Sequence, residues 1–112
     1  MIRDIKKIKD KIASLNNNFK SIESFINSTN FSNALDELPK LRSTIFNLDQ
    51  ESKNQLNTNV IKTLSIKIED LAISLNAEIK NNSKKTNAKL DQALRLCYHA
   101  YKILLKNLNN LR

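Results

Sequence analysis

The chain has 112 residues, no Gly, a single Pro and a formal net charge of +8. Gly supplies the backbone conformations of phosphate-binding loops, so its absence excludes the P-loop, the dinucleotide fingerprint and tight Asn-Gly or Asp-Gly hairpins. The positive charge favours polyanionic partners, such as nucleic acid, anionic lipid or an acidic protein tail. The length predicts one domain covering residues 1–112.

Two amphipathic segments make up the first half of the chain. The first, Ile2–Ile26, has apolar residues at steps of three or four, which is one face of an α-helix. Ser28–Asn30 predicts its end and the N-cap of the next helix. The second segment, Phe31–Leu48, contains Pro39. Because its apolar phase continues across the proline, the pattern favours one kinked helix, with two pieces separated near Glu37 as the alternative.

A polar stretch, 49–54, predicts a connection before the third helical segment, Leu56–Ile79. This third segment predicts the central helix of the fold, because a second apolar stripe suggests that it is contacted on two sides. The second stripe consists of Ile61, Ile66 and Ile73.

The most polar part of the chain, 81–87, is consistent with either a loop or a solvated stretch of one very long helix. The last segment, Leu90–Leu111, has apolar residues at alternating steps of four and three, which is a heptad pattern typical of a helix-packing seam. Together the segments predict an all-α fold, an up-and-down bundle of three to four helices with long central and C-terminal helices.

The charges are unevenly distributed along the chain. Residues 1–20 carry six basic and two acidic side chains, 21–78 carry five and eight, and 79–112 carry eight and one. If the first and last helices lie side by side, their basic residues could form one continuous positive surface rather than an ordinary solvated face. The N-terminal contributors would be Arg3, Lys6, Lys7, Lys9 and Lys11.

The chain offers little for catalysis or metal binding. Cys97 and His99 project about 200° apart on a helix, and zinc needs three or four ligands. The acidic pairs Asp36-Glu37 and Glu69-Asp70 diverge on their helices and predict solvated faces. We therefore expect a non-enzymatic protein without a cofactor, metal or small-molecule substrate. The single cysteine, the charged N-terminus and the lack of an apolar run near ~20 residues predict a reducing, cytoplasmic location without membrane insertion.

Tyr98 lies off the apolar seam, and helical spacing places Arg95 and Lys102 on the same face. An exposed aromatic ring between cations can stack on a nucleic-acid base or receive an apolar chain end. The alternative is that Tyr98 simply packs on a neighbouring helix.

Three stretches of the chain resemble the primosomal replication protein N″ (PriC) family. They are Ile8–Leu15 in the first helix, Phe31 with Leu35 at the start of the second, and Cys97–Ala100 in the last helix, followed by leucines. In longer family members a basic, Trp-containing segment precedes the last helix, whereas here that region is reduced to 81–89 and has no Trp.

The resemblance implies a replication-restart accessory protein that helps to reload the replicative helicase at stalled forks. It also implies binding to single-stranded DNA and to the acidic tail of single-stranded DNA-binding protein. Charge and helical spacing, rather than the family, predict the binding surface. Its residues are Lys84, Lys85, Lys89, Arg95, Tyr98, Lys102 and Lys106.

Two other classes of function remain open. The first is a small helical chaperone of the flagellar or type III export kind, which would use the second stripe of the third helix to bind a partner helix. The second is a structural coiled-coil subunit, in which the heptad of Leu90–Leu111 would form an intermolecular seam. Membrane-surface binding is less favoured, because the last helix has no Trp or Phe and its apolar face is needed for a core.

Overall fold

The computed structural model describes residues 2–52, 57–82, 84–85 and 88–109. It has four helices: α1 (Ile2–Asn27), α2 (Phe31–Ser52), α3 (Thr58–Lys80) and α4 (Ala88–Asn109). No strand occurs within these ranges, so the predicted all-α helical bundle is confirmed. The helices have 26, 22, 23 and 22 residues, so α3 and α4 are long helices of nearly the same length as α2.

The predicted apolar seams form the core. Every third or fourth residue of each helix is buried, because that spacing brings the side chains onto one face. The α4 heptad from Leu90 to Leu108 is covered by the chain's own helices. A structural coiled-coil subunit would instead need this heptad exposed, so that it could pack on another chain. Leu56 and Leu111 lie outside the described residues. The largest fully buried side chains include Ile8, Ile12, Leu15, Phe19, Ile22, Leu38, Leu41, Leu48, Leu64, Ile68, Leu71 and Leu75.

The turn between α1 and α2 has the hydrogen bonds of a Schellman motif. The Asn30 amide donates to the Phe25 carbonyl at 2.8 Å, and the Thr29 amide donates to the Ile26 carbonyl at 3.0 Å. Thr29 has a φ of 60°, a left-handed conformation that is costly for a β-branched residue. The Asn30 carbonyl accepts from Ala34 at 3.1 Å, so the predicted stop and N-cap both lie where the sequence indicates.

Helix α2 is continuous through Pro39, so the alternative of two separate pieces is wrong, while a kink remains a prediction. The helix also extends to Ser52, and 49–52 is therefore helical rather than part of a connection. Its seam residue Leu48 is fully buried, and the polar residues that follow are acceptable helix formers. Polarity alone was a poor indicator of the helix end, and residues 53–56 lie outside the described ranges.

Asparagines define both ends of α3. The Asn57 side chain accepts from the Asn59 amide at 2.9 Å as the N-cap, and the Asn57 amide donates to Asn107 Oδ1 at 2.7 Å, joining α3 to the end of α4. At the other end, Asn82 adopts a φ of 52°. This left-handed conformation is incompatible with an α-helix, so the helix ends and 81–82 form a turn. The alternative of one long helix through 81–87 is therefore wrong.

Each helix packs along the next in sequence, and α1 also contacts α4, although the two backbones approach closely at few positions. The four helices therefore form a bundle of 48 × 19 × 18 Å in which α1/α4 and α2/α3 are opposite sides. None of the described helices is both long enough and apolar enough to cross a membrane.

Candidate functional site

Aromatic side chains fill the space between α1 and α4. The Phe19 ring lies between the rings of Tyr98 and Tyr101, with centroids 5.5 Å away in both cases and interplanar angles of 44° and 59°. Such tilted arrangements are favourable for aromatic pairs. The Tyr101 hydroxyl donates to the Ile12 carbonyl at 2.9 Å within the core. These bulky groups hold the helices apart and leave an open groove above them.

This groove, the α1/α4 groove, has a volume of about 790 Å³. Three of its lining side chains are cations, one is a carboxylate, and the aromatic floor continues into Leu105. The lining residues are Asn16, Lys20, Glu23, Arg95, Tyr98, His99, Tyr101, Lys102 and Leu105. The arrangement combines a positively charged rim with an apolar floor, which suits an anionic chain that also carries rings or an apolar end.

Tyr98 is half-buried in this groove, because its ring packs on Phe19. Its hydroxyl donates to Glu23 Oε1 at 3.3 Å. Burial, followed by the charge and the hydrogen bond of Glu23, raises the pKa of Tyr98 from 10.0 to about 12. The structure therefore shows the packing alternative for Tyr98, while Tyr98 also lines the groove.

The cations of the groove are accessible to a ligand. Arg95 forms an ion pair with Asp91, one turn earlier on α4, at 3.0 Å, and the two side chains are 79% and 53% exposed. Such an exposed pair contributes little stability, so Arg95 can exchange Asp91 for a ligand anion at small cost. Lys20 and Lys102 are likewise exposed.

The structure brings together some of the predicted site residues and separates others. Arg95, Tyr98 and Lys102 line the groove, and Lys106 follows one turn later on the same face of α4. Lys84, Lys85 and Lys89 are exposed at the opposite end of α4. Lys89 and Lys106 are about 25 Å apart along the helix axis, and helical spacing places Lys89 on the opposite flank of α4 from Arg95 and Lys102. The seven residues therefore do not form one compact notch.

Lys6 and Lys9 extend the positive surface along α1, because helical spacing places them on the same face as Lys20, whereas Lys7 and Lys11 lie on the opposite flank. Because Ile12 meets Tyr101 and Glu23 meets Tyr98, α1 and α4 are antiparallel, and the start of α1 lies beside the end of α4. The side-by-side arrangement that a joint basic surface requires is therefore present. Lys6, Lys7 and Lys9 are exposed, Lys11 is half-buried, and the Arg3 side chain is not among those described.

Three groove residues on α1, namely Asn16, Lys20 and Glu23, were not identified from the sequence. Their spacing of four and three residues places them on the flank of the apolar seam, in phase with Lys9. The same spacing was used to group Arg95, Tyr98 and Lys102 on α4. Helical spacing groups residues on one face of α1, but it does not show that this face is turned towards α4. The three residues could therefore have been identified only once the packing of α1 on α4 was known.

Cys97 and His99 differ in their exposure to solvent. Cys97 is buried and donates to the Lys67 carbonyl at 3.2 Å. Burial is the main cause that raises the pKa of this thiol from 9.0 to about 12, with a further contribution from the Asp70 charge and a smaller opposing one from Lys67. A thiol that stays protonated is a poor nucleophile. His99 is exposed, and no cluster of three or more potential metal ligands exists in the described part of the chain.

A second groove lies between α2 and α3, the α2/α3 groove, with a volume of about 620 Å³. Phe46 and Ile66 on its walls are 63% and 58% exposed, and Ile73 of the same helix face is 66% exposed. Of the second stripe predicted on α3, Ile66 and Ile73 are therefore exposed, whereas Ile61 is buried in the groove floor. The Arg42 and Glu69 side chains form an ion pair of 2.7 Å across the groove.

No protein-family model, curated protein or solved structure matches this chain.

Proposed function

We propose that this protein is a non-enzymatic accessory protein of replication restart, which binds single-stranded DNA or the acidic tail of single-stranded DNA-binding protein and helps to reload the replicative helicase. The observation that carries the proposal is the α1/α4 groove, in which three cations surround an aromatic floor. The sequence resemblance to the PriC family supplies the biological setting.

The charge of the groove favours an anionic ligand. Lys20 on α1 faces the α4 side with Arg95 and Lys102, and the one carboxylate in the lining, Glu23, is already engaged with the Tyr98 hydroxyl. Phosphates or carboxylates that enter the groove would therefore meet mainly cations. Exposed lysines of α1 and Lys106 of α4 continue the positive surface beyond the groove and would attract the rest of a long anionic chain.

The floor favours a ligand with flat or apolar groups. Tyr98 and Leu105 are half-buried, so each keeps part of its apolar surface open to the groove. A base of a single strand can pack on the exposed part of the Tyr98 ring, and the apolar end of an acidic peptide can cover the same surface. Both proposed ligands thus use one site, and they are expected to compete.

The test is fluorescence anisotropy of labelled single-stranded DNA, titrated with the protein at about 50 mM and about 200 mM salt. Three phosphate contacts to a single strand give a slope of log affinity against log salt near −2, or about a 20-fold loss between these salt concentrations. Replacing Lys20 or Lys102 by Glu should weaken binding and reduce the steepness of the slope by about 0.7. An acidic peptide with an apolar end should displace the DNA.

The matched control is Lys40→Glu, which makes the same charge change on α2, where Lys40 is exposed and paired with Glu37 at 3.1 Å. It should leave the slope unchanged. A triple variant tests whether the bound DNA extends to the N-terminal end of α4. In it, Lys84, Lys85 and Lys89 are all changed to Glu. Absence of DNA and peptide binding at low salt would refute the proposal, and equal losses for Lys40→Glu and Lys102→Glu would show that no particular surface is used.

A further inference from the structure

The α2/α3 groove is an apolar surface on the side of the bundle opposite the α1/α4 groove. Its floor consists of buried isoleucines, including Ile45, Ile61 and Ile68. Phe46 stands beside this floor with 63% of its surface exposed, and Ile66 stands on the other wall with 58% exposed. Large apolar side chains grouped around an open groove are typical of a surface that another molecule covers.

The charges around this groove cancel. Arg42 and Lys62 are basic, Asp49 and Glu69 are acidic, and Arg42 lies 2.7 Å from Glu69. The whole chain has a net charge of +8, so two copies repel one another through most of their surfaces. A neutral face that contains both signs can meet a second copy of itself without that penalty.

The order of the charges along α3 fits a two-fold partner. Lys62 and Glu69 lie at equal distances, in residues, from the midpoint between Ser65 and Ile66. When two α3 helices pair antiparallel about this midpoint, Lys62 of each copy lies opposite Glu69 of the other, and the pair forms twice. A foreign partner would have to supply matching charges, whereas a second copy has both in register.

Phe46 supplies an exposed apolar side chain at the edge of the groove. An exposed ring stands directly beside an open groove of about 620 Å³. In a two-fold arrangement the ring of each copy can enter the groove of the other, which gives two equivalent contacts. Ile73, one heptad after Ile66, would then lie opposite Thr58 of the second copy and continue the apolar contact.

We propose that the α2/α3 groove is a self-association surface, where two copies of this chain pair with antiparallel α3 helices about a two-fold axis near Ile66 and each inserts Phe46 into the groove of the other.

The test is sedimentation velocity of the full chain from about 1 µM to about 500 µM, which covers weak to moderate dimer affinities. The average mass should rise towards that of a dimer with concentration. Phe46→Ser should raise the dissociation constant about 30-fold, because a central aromatic anchor is lost. The matched control is Ile103→Ser, which removes an isoleucine that is 40% exposed on α4 and should leave the constant unchanged.

A charge exchange tests the register. Lys62→Glu alone places like charges opposite each other twice and should raise the dissociation constant at least about 5-fold. Glu69→Lys also breaks the Arg42–Glu69 pair within each copy, so the double variant is compared with Glu69→Lys alone. Because the double variant restores opposite charges between the copies, its dissociation constant should be at least about 5-fold lower than that of Glu69→Lys. Circular dichroism of each variant confirms that the bundle is folded. A chain that stays monomeric over the whole range overturns the proposal, even if it binds a foreign helix. A dimer that responds equally to Phe46→Ser and Ile103→Ser overturns it as well.

Discussion

The hydroxyl groups of Tyr98 and Tyr101 provide a direct measure of how the α1/α4 contact is stabilised. The change to Phe at either position keeps the ring, and with it the 5.5 Å contact to Phe19. The two hydroxyls differ in their surroundings. The Tyr101 hydroxyl donates to the Ile12 carbonyl at 2.9 Å inside the core, whereas the Tyr98 hydroxyl donates to the Glu23 carboxylate at 3.3 Å at the groove surface.

The expected losses follow from these surroundings. Tyr101→Phe removes a buried hydrogen bond and should lower the free energy of unfolding by about 1–1.5 kcal/mol. Ile12 lies within α1, so its carbonyl keeps its helical partner and no larger desolvation penalty is expected. Tyr98→Phe removes a longer bond to an acceptor that water can also reach, and should cost less than about 0.5 kcal/mol.

Urea unfolding followed by far-UV circular dichroism measures both variants. With a slope of about 1.5 kcal/mol per molar urea, Tyr101→Phe should lower the midpoint by roughly 0.7–1 M, and Tyr98→Phe by less than about 0.3 M. Both slopes should equal that of the original chain, since the surface exposed on unfolding is the same. If Tyr98→Phe lost as much as Tyr101→Phe, or if Tyr101→Phe lost nothing, burial would not determine the value of these hydrogen bonds and the reasoning would be refuted.

Two further predictions concern the turns and the response to pH. Thr29→Gly should raise the free energy of unfolding by about 1 kcal/mol, because a β-branched residue at a φ of 60° is strained. Asn82→Gly, at a φ of 52°, should change it little, since Asn tolerates this conformation; equal urea midpoints for the two variants would contradict the explanation. The pKa of Cys97 and of Tyr98 is about 12 in the folded chain, above ordinary values of 9.0 and 10.0. The unfolded chain therefore loses these protons first, so stability should be complete below about pH 9 and should fall as the pH rises towards 12. The free energy of unfolding, measured with urea, should be lower at about pH 10 than at about pH 8, and this difference should be smaller in Cys97→Ala. If the difference is the same in Cys97→Ala, the thiol is not a cause.

The helices and their buried faces could be predicted from the sequence because a single period determines both. Apolar residues three or four apart form a stripe, and burying that stripe is the main stabilisation available to a chain with few aromatics. Leu90, Leu94 and Leu104 of α4 are buried as this rule predicts. The ends were harder, since polar residues such as Asp49 and Gln50 continue α2 although they resemble a connection.

The candidate site could be predicted only in part, because a groove depends on two helices and on their relative register. The spacing of Arg95 and Lys102 indicated one wall correctly. The other wall, with Lys20 and Glu23, depends on which flank of α1 faces α4, and that is set by the tertiary arrangement. The partial burial of Tyr98 has the same origin, since it results from Phe19 across the groove.

The α2/α3 groove was less accessible to sequence reasoning. The isoleucines of α3 suggested a second contact surface, but their period does not distinguish a residue on the groove floor, such as Ile61, from an exposed one, such as Ile66. Phe46 lies outside the apolar seam of α2 and became significant only when its exposure beside the groove was seen.

The order of the helices in the bundle has a consequence for how the chain folds. Three of the packed pairs join neighbours in sequence, and such local contacts form rapidly. The α1/α4 pair instead joins residues as distant as Ile12 and Tyr101, which are 89 positions apart, and closing so long a loop costs more conformational entropy. We therefore expect α1 and α4 to dock last during folding. The candidate groove would then exist only in the completed bundle, and amides along this seam should exchange with solvent before those between α2 and α3.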